Sequence, residues 1–442
     1  MKMTRFLFII LSACIVFFAS DLRAQKKWTL EECINYALEH NIEIKRRSVT
    51  AEQAENNYKQ SKFEYLPTVN GRASHDINSG KTYVYDLNKY INTDYQYSQF
   101  SLSSGVTLFD GLETRNRVQK RKFDMLAQLE SIKEAKYDVK MNVATYYLNV
   151  LSKQEQKKIK REQLNVTLEQ IEQTQQQVEV GNKAKGDLLE IKAQAARERV
   201  ELTRAENELK MAYIDLTQLM NLDSTQNFTI HAPEQDTLKP DETIQTADIV
   251  YNKSVEAFPT VKNYEYQVES SEENLQMIKG RRYPRLDFGV NFNTYFNENV
   301  DVVYGDQIDG NFSMIAGVQL NIPIFNNRSV ENQIQNARLN IKDSKYRLKE
   351  SKQNLFKSIQ RARNEAIAAY KDYQANVEAV SFSREAFNYS EQKYNVGLVD
   401  IVEYKVAKKD LTEARLNAAQ AKYNYFFRMM LLEFYMGEEL EF

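Results

Sequence analysis

Leu286-Asp287-Phe288-Gly289-Val290-Asn291-Phe292-Asn293-Thr294-Tyr295-Phe296 reads as one extended segment whose side chains alternate in character. Leu286, Phe288, Val290, Phe292 and Phe296 share one face, and Asp287, Gly289, Asn291 and Asn293 share the other. That is the period-two pattern of a strand with one apolar and one wet face. Phe312 to Ile322 repeats it, with Phe312, Met314, Ala316, Val318, Leu320 and Ile322 opposite Ser313, Gln319 and Asn321. In Ser98 to Leu108, Phe100, Leu102, Val106 and Leu108 oppose Gln99, Ser101, Ser103 and Thr107. Thr68 to Ile77 is weaker, with Val69 and Ala73 opposite Asn70, Arg72 and Ser74. A soluble antiparallel sheet with one wet face fits the alternation. Three features favour a membrane barrel: segments of about 10 residues, long enough to cross a bilayer when tilted; small hydrophilic polar faces; and Tyr83, Tyr85, Tyr90, Tyr95, Tyr97, Tyr295, Phe296 and Tyr304 crowding the ends and loops.

Four strands cannot close, and an open edge cannot exist in lipid. Two copies would give eight strands, about filled by their own side chains. Three copies give twelve, so a homotrimer is the smallest arrangement that leaves a channel.

Around these segments the chain holds few breakers. Its 442 residues include 13 Gly and 6 Pro, far below ordinary usage, so long uninterrupted helices should dominate. The 59 Lys+Arg and 61 Asp+Glu leave a net charge of -2, which removes the bulk-electrostatic case for a nucleic-acid partner. With 27% charged residues the chain is not a multi-span helical membrane protein.

The start has the layout of a secretory signal over residues 1–24: Lys2 and Arg5, the apolar run Phe6 to Ala19, then Leu22-Arg23-Ala24. An uncleaved anchor is the competing reading. Leu11-Ser12-Ala13-Cys14 resembles a lipobox that would lipidate Cys14, although the apolar run continues past it. After cleavage Cys33 stands alone, so no internal disulfide forms.

The remainder is an internal two-fold repeat. An offset of 216 places Val180-Gly181 on Val396-Gly397, Lys192 on Lys408, Ala205 on Ala421, Leu216 on Leu432 and Leu108-Phe109-Asp110 on Ile324-Phe325-Asn326. The expected division is a first repeat over 25–230, a linker over 231–250 with Pro233 and Pro240, and a second repeat over 251–442. Each half should run helix (about Leu30 to Phe63, and Pro259 to Gly280), two strands beginning after Pro67 and Pro284, a long helix, then a return helix. The long helices, free of Gly and Pro up to Gly181 and Gly397, would each span about 100 Å. The return helices should cover about Asp187 to Leu219 and Asp400 to Tyr435. Steps of seven along the long helices give Val143, Val150, Lys157, Leu164, Ile171 and Val178, then Ile359, Ala366, Tyr373, Val380, Phe387 and Tyr394. The return helices give Leu188, Ala195, Leu202, Leu209 and Leu216, then Tyr404, Leu411, Ala418, Tyr425 and Leu432. A sustained heptad implies supercoiled antiparallel pairs, which could also wall an aqueous tube. The fold class is therefore mixed α and β: coiled-coil helices forming an α-helical barrel, plus a four-strand share of a trimeric transmembrane β-barrel.

In order, and twice over, these residues resemble the TolC family of outer-membrane efflux proteins. The likeness is carried by Trp28-Thr29-Leu30-Glu31-Glu32 through Ala37-Leu38-Glu39-His40-Asn41, by Leu66-Pro67, and by Leu108-Phe109-Asp110-Gly111 with its partner Pro323-Ile324-Phe325-Asn326. Val180-Gly181 and Val396-Gly397-Leu398 are similar to the family's two hairpin tips. The resemblance implies an outer-membrane location with a periplasmic extension and a homotrimeric passive duct in contact with outer-membrane lipid. It further implies a periplasmic adaptor protein and an inner-membrane transporter, in tripartite efflux or type I secretion. It places adaptor contact at Val180, Gly181, Val396, Gly397 and Leu398. It places an entrance ring six and nine positions after each tip glycine: Asp187 and Glu190, then Glu403 and Val406, where Val406 departs from the acidic pattern and Asp400 is a candidate to compensate. Twelve carboxylates at a narrow opening would concentrate cations. The bland readings are that Asp187 and Asp400 serve the helix dipole and that the glycines are left-handed helix caps.

No catalytic constellation, phosphate loop or Cys/His metal spacing stands out, and His40, His75 and His231 are scattered, so neither enzyme activity nor a cofactor is expected. The rival to a duct is a soluble periplasmic coiled-coil adaptor or scaffold, which explains the heptads but not the two helix-strand-strand-helix-helix units.

Overall fold

The computed structural model describes residues 27–84, 88–222, 228–231 and 244–437. The signal segment, Cys14, Tyr85 and both linker prolines lie outside them. In chain order the elements are β1 (Lys27–Trp28), α1 (Leu30–His40), α2 (Ile42–Phe63), β2 (Thr68–Val84), β3 (Lys89–Phe109), α3 (Glu113–Glu179), α4 (Lys185–Leu219), β4 (Thr229–Ile230), α5 (Ala247–Ser254), α6 (Pro259–Gly280), β5 (Arg285–Asn297), α7 (Tyr304–Gly310), β6 (Ser313–Asn321), α8 (Ser329–Asn395) and α9 (Ile401–Met436). They form two units, one of Met1–Arg47, Ile132–Phe258 and Lys352–Phe442, the other of Ser48–Ser131 and Pro259–Ser351. Among the described residues no helix is long and apolar enough to cross a membrane.

The second unit holds one antiparallel sheet in the order β2-β3-β5-β6. Its register carries the alternation across every strand, because directly opposed residues of an antiparallel pair share a face. Gly71, Leu102, Phe292 and Met314 form one apolar row, and Val69, Ser104, Val290 and Ala316 the next. Between them, on the other face, lie Asn70, Ser103, Asn291 and Ile315. Within one chain β2 and β6 are left as edges. The first hairpin is longer than the sequence predicts, pairing as far as Val84 with Lys89, because the tyrosine-rich stretch read as loop suits a pleated ribbon, with the Tyr83 and Tyr90 rings meeting edge to face across it. The helix α7 in the second hairpin is likewise unanticipated; Gln307 holds it by donating to the carbonyls of Asn297 and Val302.

The second strand of each hairpin, β3 and β6, feeds a long helix through the same pair of left-handed residues. Gly111 (φ 69°) and Leu112 (φ 68°) precede α3, and Asn327 (φ 52°) and Arg328 (φ 61°) precede α8, so the repeat extends to the backbone. Gly111 has no alternative: a Cβ there would collide with the carbonyl oxygen of Gly280. Between these junctions and the next glycine nothing interrupts the helix, and α3 and α8 are 67 residues each.

The first unit is held by interhelical packing. Cys33 and Ala37 of α1, Val143, Ala144, Tyr147 and Val150 of α3, Leu216 of α4 and Tyr425 of α9 belong to one buried cluster. The heptad positions lie in such seams: Val143, Val150, Ile359 and Ala366 are inaccessible, and Leu188, Ala195, Tyr404 and Leu432 are buried. Lys157 is the polar exception and pairs with Glu206 at 3.5 Å. Burial pushes the Cys33 thiol up to about 12, with Glu32 adding to it, so this cysteine is an inert apolar side chain.

The helix expected from Leu30 to Phe63 is broken at Asn41. Its ψ of 129° ends α1; its side chain accepts from Glu43 N at 2.9 Å to cap α2 and donates to the Leu219 carbonyl at 3.1 Å. Glu32 and Thr29 form a reciprocal capping box at the start of α1. The parallel pair β1–β4 and the helix α5, which begins inside the expected linker, were not expected. The pair is fixed by Tyr147, whose hydroxyl reaches the carbonyls of His231 (2.6 Å) and Trp28 (3.1 Å).

Candidate functional site

The residues singled out from the sequence gather at two hairpin turns, α3 to α4 and α8 to α9, both in the first unit. The turns share one backbone. Gly181 (φ 83°) donates to the Val178 carbonyl at 3.1 Å and Asn182 N to the Gln177 carbonyl at 2.8 Å. Gly397 (φ 78°) donates to Tyr394 at 3.2 Å and Leu398 N to Lys393 at 2.8 Å. The second bond of each pair spans five residues, which closes the helix as a Schellman motif and requires the left-handed glycine. Nothing lies within 4 Å of a Cβ built on either glycine, so conformation rather than crowding selects glycine here. Beside them Val180, Val396 and Leu398 are strongly exposed. Apolar side chains presented at a polar turn fit a binding surface better than a free one.

The four acidic residues are not equivalent. Asp400 is the N-cap of α9, its Oδ1 accepting from Val402 N and Glu403 N at 3.0 Å each. Asp187 is no cap: α4 begins after Ala184, which offers no side-chain bond, and Asp187 stands in the first turn where the helix dipole favours an acid. Its field acts on Lys183, whose Nζ lies 3.3 Å from the centre of the Tyr394 ring. Burial lowers the Lys183 ammonium and Asp187 opposes that fall. Glu190 accepts from Lys405 Nζ of α9 at 2.8 Å. Burial raises the Tyr394 hydroxyl, and the carboxylates of Asp187 and Glu190 raise it further. Asp187, Glu190, Lys183, Lys405 and Tyr394 therefore form one group joining the two hairpins. Glu403 sits in the first turn of α9 with its backbone held by Asp400.

Sequence reasoning missed the cations. Besides Lys183 and Lys405, the buried Lys408 reaches from α9 into the first hairpin, where Nζ donates to the Gln163 carbonyl at 3.0 Å and to Thr167 Oγ1 and lies 3.6 Å from Glu198. Lys408 and Glu198 are 7% and 3% exposed, so this is a buried pair. Gln163 and Gln194 donate to the Glu198 carboxylate at 3.1 and 3.0 Å, and Thr167 donates to its other oxygen. A sequence signal existed: the 216 offset lays Leu189-Glu190 over Lys405-Val406, an exchange of charged and apolar partners. Among the described residues no three His, Cys, Asp or Glu side chains are grouped to hold a metal.

Comparison with known proteins agrees with this geometry. A family described as outer membrane efflux protein matches residues 33–222 and 250–438, one match in each half. The outer membrane efflux protein BepC of Brucella suis is 20% identical over 397 residues, covering 90% of this chain and 82% of its own. The outer membrane protein TolC of Vibrio cholerae is 21% identical over 415 residues, covering 92% and 90%. The crystal structure of CusC, described as forming a transmembrane channel, superposes with a TM-score of 0.79 at 16% identity over 93% of this chain and 92% of that one.

Proposed function

We propose that this chain, which belongs to the outer membrane efflux protein family, is the exit duct of a tripartite efflux or type I secretion system. The family is one of outer-membrane channels, not enzymes, and the long helices are its periplasmic part. The observation that carries the finer reading is the sheet: four strands with one mainly apolar face, one mainly polar face, and an edge at either end. In lipid those edges need partners. Three copies joined edge to edge supply twelve strands, with the apolar rows toward lipid and Asn70, Ser103 and Asn291 toward a water-filled lumen. The hairpin turns then form the periplasmic entrance. Asp187, Glu190, Asp400 and Glu403 surround the entrance, and Val180, Gly181, Val396, Gly397 and Leu398 meet a periplasmic adaptor that couples the duct to an inner-membrane transporter.

Purified protein in a planar lipid bilayer tests this. The duct reading expects discrete conductance steps, and deletion of the gene should sensitise cells to pump substrates as much as deletion of the cognate pump does. A water-soluble species without conductance would instead favour a periplasmic adaptor.

A further inference from the structure

The two hairpins of one chain touch through specific side chains. Lys405 of the second meets Glu190 of the first at 2.8 Å, Arg415 meets Glu162 at 2.5 Å, and Gln420 accepts from Gln156 at 3.1 Å. Since the hairpins are repeats offset by 216, each residue has a counterpart in the other half. In a closed ring of copies the step from the first hairpin to the second is followed by a like step, from the second hairpin to the first hairpin of the next copy. Counterparts of every observed pair should then face one another across that second junction.

The counterparts are complementary. Arg415 and Glu162 map to Arg199 and Glu378, an opposite-charge pair conserved in both members. Gln420 and Gln156 map to Arg204 and Asp372, where a neutral hydrogen bond becomes an ion pair. Lys405 and Glu190 map to Leu189 and Val406, where an ion pair becomes an apolar contact. Lys408 and Thr167 map to Lys192 and Ser383, keeping donor and acceptor, while Glu198 maps to Ala414. In the single chain Arg199, Arg204, Asp372 and Glu378 are exposed, and Leu189 and Val406 remain 59% and 52% exposed. Arg204 has only Glu201, one turn away on its own helix, as its ion-pair partner among the described residues.

We propose that the surface formed by Leu189, Arg199 and Arg204 binds Val406, Glu378 and Asp372 of a neighbouring copy of this chain, so that junctions within and between chains alternate around the ring with exchanged chemistry. The same surface accounts for Val406: as one half of an apolar contact between copies it needs no acid. The inference rests on the trimeric duct reading and adds to it which side chains join the copies.

Disulfide trapping in isolated outer membranes tests it, with buried Cys33 left in place. Under mild oxidation the Leu189→Cys/Val406→Cys variant should give covalent dimers and trimers on a non-reducing denaturing gel, and neither single variant should. Glu190→Cys/Lys405→Cys should close within one chain and migrate as a monomer. If Leu189→Cys/Val406→Cys assembles as a trimer on a native gel yet stays monomeric after oxidation and denaturation, the pairing is wrong although the duct survives. If the native species is itself a monomer, the trimer and the pairing both fall. As a second readout, Arg199→Glu should lower the temperature at which the oligomer dissociates and Glu378→Arg in the same chain should restore it; no restoration contradicts the pair.

Discussion

Lys405 Nζ donates to Glu190 Oε1 across 2.8 Å, so a cation on α9 cancels a carboxylate on α4 at the place where an acidic ring is expected. Both side chains are partly exposed, so the pair contributes little stability; its consequence is electrostatic.

Replacing Lys405 with Gln should change unfolding free energy by less than about 1 kcal/mol. It should also release one negative charge per chain at the entrance, and a narrow opening focuses such a charge. The reversal potential in a salt gradient should move toward cation selectivity, and Lys405→Arg should leave it where it is. An unchanged potential in Lys405→Gln would place Glu190 away from the conducting path.

The buried pair of Lys408 and Glu198 behaves differently. Lys408→Met should lower stability by about 3 kcal/mol, because Glu198 keeps its hydrogen bonds but loses its counter-charge in a buried setting. Lys408→Met/Glu198→Gln should recover part of the loss. Burial holds the Lys408 ammonium below its ordinary value, with Glu198 opposing. Between that lowered value and the unfolded one, about 10.4, the unfolded chain binds more protons, so this residue's contribution to stability rises with pH. Thermal unfolding followed by circular dichroism should show the wild type gaining on Lys408→Met as pH climbs through that range.

Glycines with similar φ separate by what surrounds them. Gly181→Ala and Gly397→Ala meet no neighbour and incur only the left-handed strain, about 1–2 kcal/mol within the turn. Gly111→Ala adds a collision with the Gly280 backbone and should cost about 3 kcal/mol or more. Outer-membrane yield should therefore hold for the first two and fall for the third. Bulky residues at Gly181 and Gly397 should still assemble yet impair export in susceptibility assays.

The two faces of the sheet should tolerate charge unequally. Phe292→Lys, in the row with Leu102 and Met314, should cost about 2–4 kcal/mol if that row meets the bilayer core. Asn291→Lys, one residue away on the polar face, should assemble normally. Recovery of heat-modifiable oligomer from outer membranes compares them.

Much of this was legible in the sequence because it rests on local rules. Leu286 to Phe296 wrote its two faces in a period of two, and Gly181 and Gly397 marked the ends of breaker-free helices. What was hidden depends on distant partners. Asn41 interrupts a run that reads as one helix, and its side chain is fixed by Leu219, far along the chain. The stretch beyond Ile77 became strand because Lys89 to Tyr95 lay opposite Asn78 to Val84. Lys405 looked like one more solvated lysine until folding brought Glu190 to it. Of the four entrance acids, only Asp400 proves to be a cap, which its position beside Ile401 did not distinguish from that of Asp187.

The central claim is that one chain supplies too few strands to seal a pore and that three copies complete it. The molar mass of the detergent-extracted protein, determined by light scattering with the detergent contribution subtracted, tests it most directly. The account predicts three polypeptides per particle; a particle of one polypeptide would contradict it.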